Sequence, residues 1–143
     1  ACGKMLTKQQ IVCNMKGLAE NCIEPIMELA GGANNIIITS GYRMNGVVAQ
    51  SSATSQHPAG QAFDLQLRGK INDAQATYDF IQKIAAAVPY DQLILEYRDP
   101  GVNGNNRNVR VCWIHCSFNY AGARKMAFTM LNDKKYKDGF ALL

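Results

Sequence analysis

The chain has 143 residues, of which 48% are apolar and 18% are charged, and its formal net charge is +4. This length fits one domain, and the composition excludes disorder as a description of the whole chain. No apolar run approaches the ~20 residues that span a bilayer, and the charge is too small to indicate nucleic acid. The start, Ala1-Cys2-Gly3-Lys4, has no secretion-signal pattern and no initiator Met, so we expect a processed terminus or a piece of a longer chain.

The first predicted element is a helix. Thr7 and Gln10 form a capping-box pattern at its start. An apolar stripe follows at steps of three or four residues, made of Ile11, Met15, Leu18, Cys22, Ile26 and Leu29. We expect Pro25 to kink or split this helix and Gly31-Gly32 to end it. The β-branched run over residues 36–39 then predicts a short buried strand.

A long polar segment over residues 40–61 interrupts the regular pattern. Small and amide residues dominate it, so we expect a loop with a helical turn around residues 47–50. Long loops in compact domains are often functional. Residues 62–67 alternate in polarity and predict a strand that carries Asp64 on its polar face.

The second half of the chain predicts a helix that has Asn72 as its N-cap and ends before Pro89. Residues 92–97 and 109–118 predict two strands, which we expect to pair across a Gly- and Asn-rich loop. The order of elements predicts an α+β fold with a mainly antiparallel sheet and flanking helices.

The chain is interpreted as one domain, residues 1–143, with a core over 7–120 and a basic C-terminal tail over 121–143. Five cysteines are present, at positions 2, 13, 22, 112 and 116. An odd number without a Cys-x-x-Cys pair predicts buried, reduced thiols rather than a disulfide framework. The alternatives are a Cys13–Cys22 bridge or a cysteine metal site.

The two histidines of the chain, His57 and His115, are the clearest candidates for chemistry. Asp64 lies seven residues after His57, and His115 lies inside a predicted strand. Two imidazoles and one carboxylate with an open fourth position form a plausible hydrolytic zinc centre. Alternatively, the three are a surface histidine, a turn cap and a buried histidine with ordinary partners. Residue spacing by itself leaves both interpretations open.

Three segments together resemble a known family: Ser40-Gly41-Tyr42-Arg43, the pattern Ser-x-His-x-x-Gly-x-Ala-x-Asp over residues 55–64, and Trp113-Ile114-His115-Cys116-Ser117. They are similar to the zinc D-Ala-D-Ala carboxypeptidase family, which includes D,D- and L,D-type cell-wall peptidases and many bacteriophage lysins. The resemblance covers roughly residues 7–120. It implies the α+β fold that this family shares with the hedgehog signalling domain.

The resemblance also implies roles for single residues. The family's Zn²⁺ ligands correspond to His57, Asp64 and His115. Arg43 matches the family's arginine, which implies that it holds a substrate carbonyl or stabilises an oxyanion; alternatively, it braces the loop against a carboxylate. Ser55 and Gln56 are expected to hydrogen-bond the ligand histidine or the substrate, or else to cap the loop.

One position departs from the family pattern. Many members place an acidic general base three residues before the last histidine, where this chain has Cys112. Because a thiol replaces a carboxylate poorly in this role, we expect Glu96, on the preceding strand, to be the base. The alternative for Glu96 is a surface carboxylate paired with Arg98 or Arg110, and Asp91 is the reserve candidate.

The resemblance implies a zinc metallopeptidase that cleaves peptidoglycan stem peptides or cross-links. The expected protein is a bacteriophage endolysin or a tail-associated lytic domain that contacts other virion proteins. It would be made in the host cytoplasm and act on the cell wall, with neither nucleic acid nor membrane as a partner. The alternatives are a non-catalytic zinc-binding structural or wall-binding module, which Cys112 favours, and a hydrolase of free D,D-dipeptides.

Overall fold

A computed structural model describes residues 6–43 and 55–143 of the chain. The helices are α1 (Lys8–Leu18), α2 (Glu24–Leu29) and α3 (Ala74–Ala87). The strands are β1 (Ile36–Ser40), β2 (Ala62–Leu67), β3 (Gln92–Arg98), β4 (Val111–Ser117), β5 (Met126–Leu131) and β6 (Lys134–Asp138). Among the helices of these two ranges, none is long and apolar enough to cross a membrane.

All six strands belong to one sheet, in the order β1-β2-β4-β3-β5-β6. Every neighbouring pair is antiparallel except β3 and β5, which run parallel. The apolar sides of the helices pack on one face of the sheet, and the core includes Ile26, Ile81, Leu65, Leu95 and Ile114. The predicted α+β fold with a mainly antiparallel sheet is therefore confirmed.

The first helix begins and breaks as expected. Thr7 and Gln10 exchange both capping-box hydrogen bonds, at 2.8 and 3.1 Å. A π-helical turn over Ala19–Ile23 separates α1 from α2, and Pro25 lies in the first turn of α2. Proline has no N–H to donate, so the wider turn before it lets the chain continue without an ordinary helical hydrogen bond at that residue.

Two local predictions differ from the structure. β1 is not a buried strand: it pairs only with β2 and lies at the edge of the sheet, where Ile38 is 45% exposed. The N-cap of α3 is Asp73 rather than Asn72, since the Asp73 side chain accepts a 2.9 Å hydrogen bond from the Ala76 N–H. The helical turn predicted around residues 47–50 lies outside the described residues.

The segment 121–143, predicted as a basic tail, contributes β5 and β6 to the sheet. Asn132 and Asp133 both have positive φ, 52° and 65°, which is the conformation of a tight hairpin turn. β6 is exposed along its whole length and carries three of the lysines. Charged side chains on an edge strand oppose pairing with another chain, so the basic character of this segment has a structural explanation.

The four described cysteines are all free thiols. Cys22, Cys112 and Cys116 are buried, as expected for core-filling residues, whereas Cys13 is exposed. The alternative of a Cys13–Cys22 bridge is therefore wrong. Cys13 lies on the solvent side of α1, away from the apolar stripe on which Leu18 and Cys22 are buried.

Candidate metal centre

The three residues proposed as metal ligands converge on the sheet face opposite the helices. One ligand atom from each of His57, Asp64 and His115 lies within 4.8 Å of the other two. The His115 Nδ1 atom is 3.1 Å from Asp64 Oδ1, and the His57 Nε2 atom is 3.5 Å from Asp64 Oδ2. These residues form the one group of three or more potential ligands in the part of the chain that the structure describes.

Strand register brings two of the three together. Asp64 on β2 and His115 on β4 are direct cross-strand partners, so their side chains leave the sheet on the same face. Their sequence neighbours Phe63, Leu65 and Ile114 point the other way and are buried under the helices. The alternation in β2 therefore has the predicted orientation, with its polar face carrying the candidate ligand.

His57 comes from a short 3-10 turn, His57–Ala59, that precedes β2. Gly60 ends this turn with φ +70°, which redirects the chain into the strand. A side chain at Gly60 would meet the backbone oxygen of Ile11 on α1 at 2.9 Å. The turn is thus packed directly on α1, and the Asn14 side chain donates a 2.9 Å hydrogen bond to the Ala59 carbonyl.

The second ring nitrogen of His57 fixes how the imidazole is presented. Nδ1 lies 2.8 Å from the Gly41 carbonyl oxygen, which can only accept, so Nδ1 carries the proton. Nε2 is the ring nitrogen that faces Asp64 and the centre. A histidine that donates its other N–H to a backbone carbonyl is a common arrangement for a metal ligand.

The ligand atoms are close enough together to surround one metal ion. With one atom taken from each residue, the three atoms lie within 4.8 Å of one another. Asp64 presents a different oxygen to each histidine, Oδ1 to His115 at 3.1 Å and Oδ2 to His57 at 3.5 Å. Burial alone raises the pKa of Asp64, but hydrogen bonds with His115 and His57 outweigh it and hold the pKa well below its usual range. The carboxylate is therefore ionised, and the three residues can hold a metal ion.

Glu96 lies on the same sheet face as the three candidate ligands. Ile94 on β3 pairs with His115, and Glu96, two residues further, pairs with Trp113. Burial and the nearby Asp64 carboxylate raise the pKa of Glu96 to about 8, against an opposing hydrogen bond with Trp113. A carboxylate with a pKa near neutrality beside a metal centre is suited to accept and return a proton.

The surface-pair alternative for Glu96 does not hold within the described residues. Arg98 pairs with Asp133 and lies over the Trp113 ring at 4.8 Å, and Arg110 pairs with Asp99. Both arginines are therefore engaged elsewhere.

Cys112 lies on the opposite face from His115. The two residues are three positions apart on a regular strand, and an odd separation reverses the side-chain direction. The Cys112 thiol is buried against α3, where it donates to the Thr77 hydroxyl at 3.4 Å, and burial raises its pKa. Cys112 therefore cannot reach the metal centre, and this position does not bear on whether a base is present. The sequence alone indicates that Cys112 and His115 face opposite sides, because they are three positions apart on a segment that is predicted as a strand.

The predicted substrate-binding residues lie around the His57 turn. The Arg43 N–H donates to the His57 carbonyl at 3.3 Å, and the Arg43 Nε is buried without a hydrogen-bond partner among the described residues. Ser55 Oγ accepts from the His57 N–H at 3.3 Å, and Gln56 donates to Asp91 at 2.9 Å. The last two contacts brace the loop, and contact of these residues with substrate stays a prediction.

Asp91, the reserve candidate for the base, is fully buried immediately before β3. The hydrogen-bonded guanidinium of Arg124 is the main cause that lowers its pKa to about 2, so it is a poor proton acceptor. Its partnership with Arg124 was not predicted from the sequence. No local sequence pattern indicates this contact, because it is the pairing of β3 with β5 that brings the two residues together.

The fold and the site together define an α+β protein with a candidate metal centre on the sheet face opposite the helices. Comparison with known proteins extends this no further: no family model, curated protein or solved structure matches the chain. The resemblance described above therefore rests on the motifs, and the function is argued from the site itself.

Proposed function

We propose that the chain is a zinc-dependent peptidase that cleaves peptide bonds of bacterial peptidoglycan, of the D,D-carboxypeptidase or endopeptidase type. The observation that carries the proposal is the position of Glu96 on the same sheet face as the His57, Asp64 and His115 group. Three ligands with a carboxylate beside them form the arrangement that metal-assisted hydrolysis requires. The wall substrate, and a role as a bacteriophage endolysin or tail-associated lytic domain, are supported by the motif resemblance.

Zinc is the metal we propose for this centre. When bound by three protein ligands, it polarises a carbonyl and makes water nucleophilic at neutral pH. Two histidines and one carboxylate also suit ferrous iron, which takes the same donor set in oxygenases. Hydrolytic activity would distinguish the zinc centre from the ferrous centre, because only the zinc proposal needs a proton acceptor at the position of Glu96.

Glu96 moves the proton in this proposal. Its raised pKa makes the ionised carboxylate a stronger proton acceptor, and in this proposal that form accepts a proton from the attacking water and returns it to the departing amine nitrogen. Asp64 is unsuited to this task, because hydrogen bonds with both histidines hold it in the ionised form.

Arg43 is proposed to hold the substrate carbonyl as negative charge develops on its oxygen. Its guanidinium remains charged at all working pH values and presents several N–H donors in one plane. The backbone hydrogen bond from Arg43 to His57 links it to the turn that carries a metal ligand. Ser55 and Gln56 border the same turn and are proposed to assist substrate binding.

The alternative function is a non-catalytic zinc-binding module of a virion, structural or wall-binding. Cys112 is the sequence feature that favours it. Because Cys112 faces the core rather than the metal centre, it gives this alternative no support. Activity decides between the two proposals.

The proposal is tested with purified protein loaded with zinc. Metal content, turbidity loss of a peptidoglycan suspension and release of free amino groups are measured for the native chain and for Glu96→Gln. Glu20→Gln is the matched control, since Glu20 is an exposed carboxylate whose salt-bridge partner among the described residues is Lys16. We expect one zinc per chain in all three proteins, with hydrolysis lowered about 10²–10⁴-fold in Glu96→Gln alone.

The outcomes separate the two proposed functions. One zinc per chain without hydrolysis of peptidoglycan would support the non-catalytic module. Hydrolysis that is as fast in Glu96→Gln as in the control would exclude Glu96 as the base. Iron retained in place of zinc after purification from metal-rich medium would contradict the choice of metal.

A further inference from the structure

Asp91 is a buried carboxylate that the proposed reaction does not use. It is 0% exposed and lies at the junction between α3 and β3. Arg124 donates to it three times, from the backbone N–H at 3.0 Å, from Nε at 2.9 Å and from the terminal nitrogen at 2.8 Å. Gln56 donates a fourth hydrogen bond, at 2.9 Å. A buried carboxylate that accepts four hydrogen bonds is held rigidly. Asp91 also has no exposed surface with which to contact substrate.

The bond from Gln56 connects this carboxylate to a metal ligand. Gln56 immediately precedes His57, and its carbonyl accepts from the N–H groups of Ala59 and Gln61 at 3.2 and 3.0 Å. The residue therefore forms the beginning of the short turn that presents the His57 imidazole. Fixing the Gln56 side chain to Asp91 fixes this end of the turn.

The backbone of Asp91 connects to the other ligand strand. Its N–H donates to the Ser117 carbonyl at 2.8 Å, two residues from His115 on β4. Its carbonyl accepts from the Met126 N–H at 2.9 Å, at the start of β5. One residue thus joins the His57 turn, the His115 strand and the segment that carries Arg124.

We propose that Gln56, Asp91 and Arg124 act together as positioning residues that hold His57 in register with His115, and that they thereby set the metal affinity of the centre. This inference rests on the metal-binding part of the proposed function and not on its peptidase activity. The physical reason is preorganisation: a ligand already held in place loses little conformational freedom on binding, whereas a mobile turn must first be ordered. Arg124 lies outside the segment with the motif resemblance, so it extends the proposed metal site to the segment that leads into β5.

The test measures zinc affinity and stability separately. Zinc affinity is determined by competition with a chromophoric chelator for the native chain, Gln56→Ala and Arg124→Ala, and metal-free stability by urea denaturation. Arg110→Ala is the matched control, because Arg110 forms a salt bridge with Asp99 at 2.6 Å that does not involve the His57 turn. Gln56→Ala leaves the ion pair intact, so it reports on positioning even where loss of Arg124 weakens the fold.

We expect zinc binding to weaken about tenfold in Gln56→Ala and in Arg124→Ala, with Arg110→Ala within twofold of the native chain. We also expect the ligand-field spectrum of the cobalt-substituted protein to change in the first two variants only. Affinities of Gln56→Ala and Arg124→Ala within twofold of the native value would overturn the inference, whatever their stability. A native chain that binds zinc and responds in this way but does not hydrolyse peptidoglycan would leave the inference standing and remove the peptidase proposal.

Discussion

Gly60 is the position at which a single methyl group is expected to disturb the His57 turn, His57–Ala59, most. Its φ of +70° is left-handed, which costs an alanine about 1–2 kcal/mol. A Cβ at Gly60 would also lie 2.9 Å from the Ile11 backbone oxygen and 2.8 Å from Met15 Cγ. Met15 can move, but the helix backbone cannot move easily, and overpacking of this kind costs about 1–3 kcal/mol. We expect Gly60→Ala to lower the free energy of unfolding by about 2–5 kcal/mol.

Gly69→Ala is the matched control for this prediction. Gly69 has a similar φ of +73°, but a Cβ there would meet nothing within 4 Å, so it isolates the backbone cost of about 1–2 kcal/mol. Urea denaturation of both variants is carried out with a metal chelator, which removes any contribution from bound ion. Equal destabilisation of the two variants would refute the claim that the turn is packed against α1.

Three further predictions concern charge and the core. Arg124→Ala is expected to lower the free energy of unfolding by about 1–2 kcal/mol near neutral pH and by less at about pH 3. The lowered pKa of Asp91 stabilises the folded chain fully above the pKa of the unfolded state, and this stabilisation is lost as the pH falls toward about 2. Urea denaturation at the two pH values checks this prediction. Glu96→Gln is expected to stabilise the metal-free protein by an amount that grows from about pH 5 to about pH 8 and is constant above that. The reason is that burial raises the pKa of Glu96 to about 8, so in this range the native chain must take up a proton to fold. Equal stability of both proteins at pH 9 would contradict this prediction. Cys112→Ala is expected to cost about 1–2 kcal/mol through lost core packing and to leave zinc affinity within twofold, and a loss of zinc binding would show that Cys112 acts at the centre.

Local signals in the sequence predicted the elements that local interactions determine. The capping box at Thr7 specifies where α1 begins, and the alternation of residues 62–67 specifies which face of β2 carries Asp64. Both follow from the spacing of side chains along one element. The site could be predicted to the same extent, because two of its ligands lie on strands whose polarity pattern is readable.

The features that the sequence did not reveal depend on long-range pairing. β1 consists of β-branched residues that suit a buried strand, yet its place at the edge of the sheet leaves Ile38 exposed. The charge of the C-terminal segment predicted a basic tail, whereas the parallel pairing of β5 with β3 is a property of the whole sheet. The contact between Asp91 and Arg124 follows from that pairing, so neither residue by itself indicates it.

The proposed general base illustrates the difference between motif position and geometry. Counting three residues back from His115 identifies Cys112, which faces the core. Counting along the neighbouring strand identifies Glu96, which the register places two residues beyond the partner of His115. Side-chain parity was available from the sequence, but the register that joins β3 to β4 was not.

We propose that the His57, Asp64 and His115 group hydrolyses a peptide bond with Glu96 as the base. Mass spectrometry of purified peptidoglycan fragments tests this after incubation with the zinc-loaded chain, with the chelated chain and with Glu96→Gln. We expect a product with one bond hydrolysed, marked by the addition of one water, in the first incubation alone. Fragments that remain intact with the zinc-loaded chain, or that are cleaved equally by all three proteins, would contradict it.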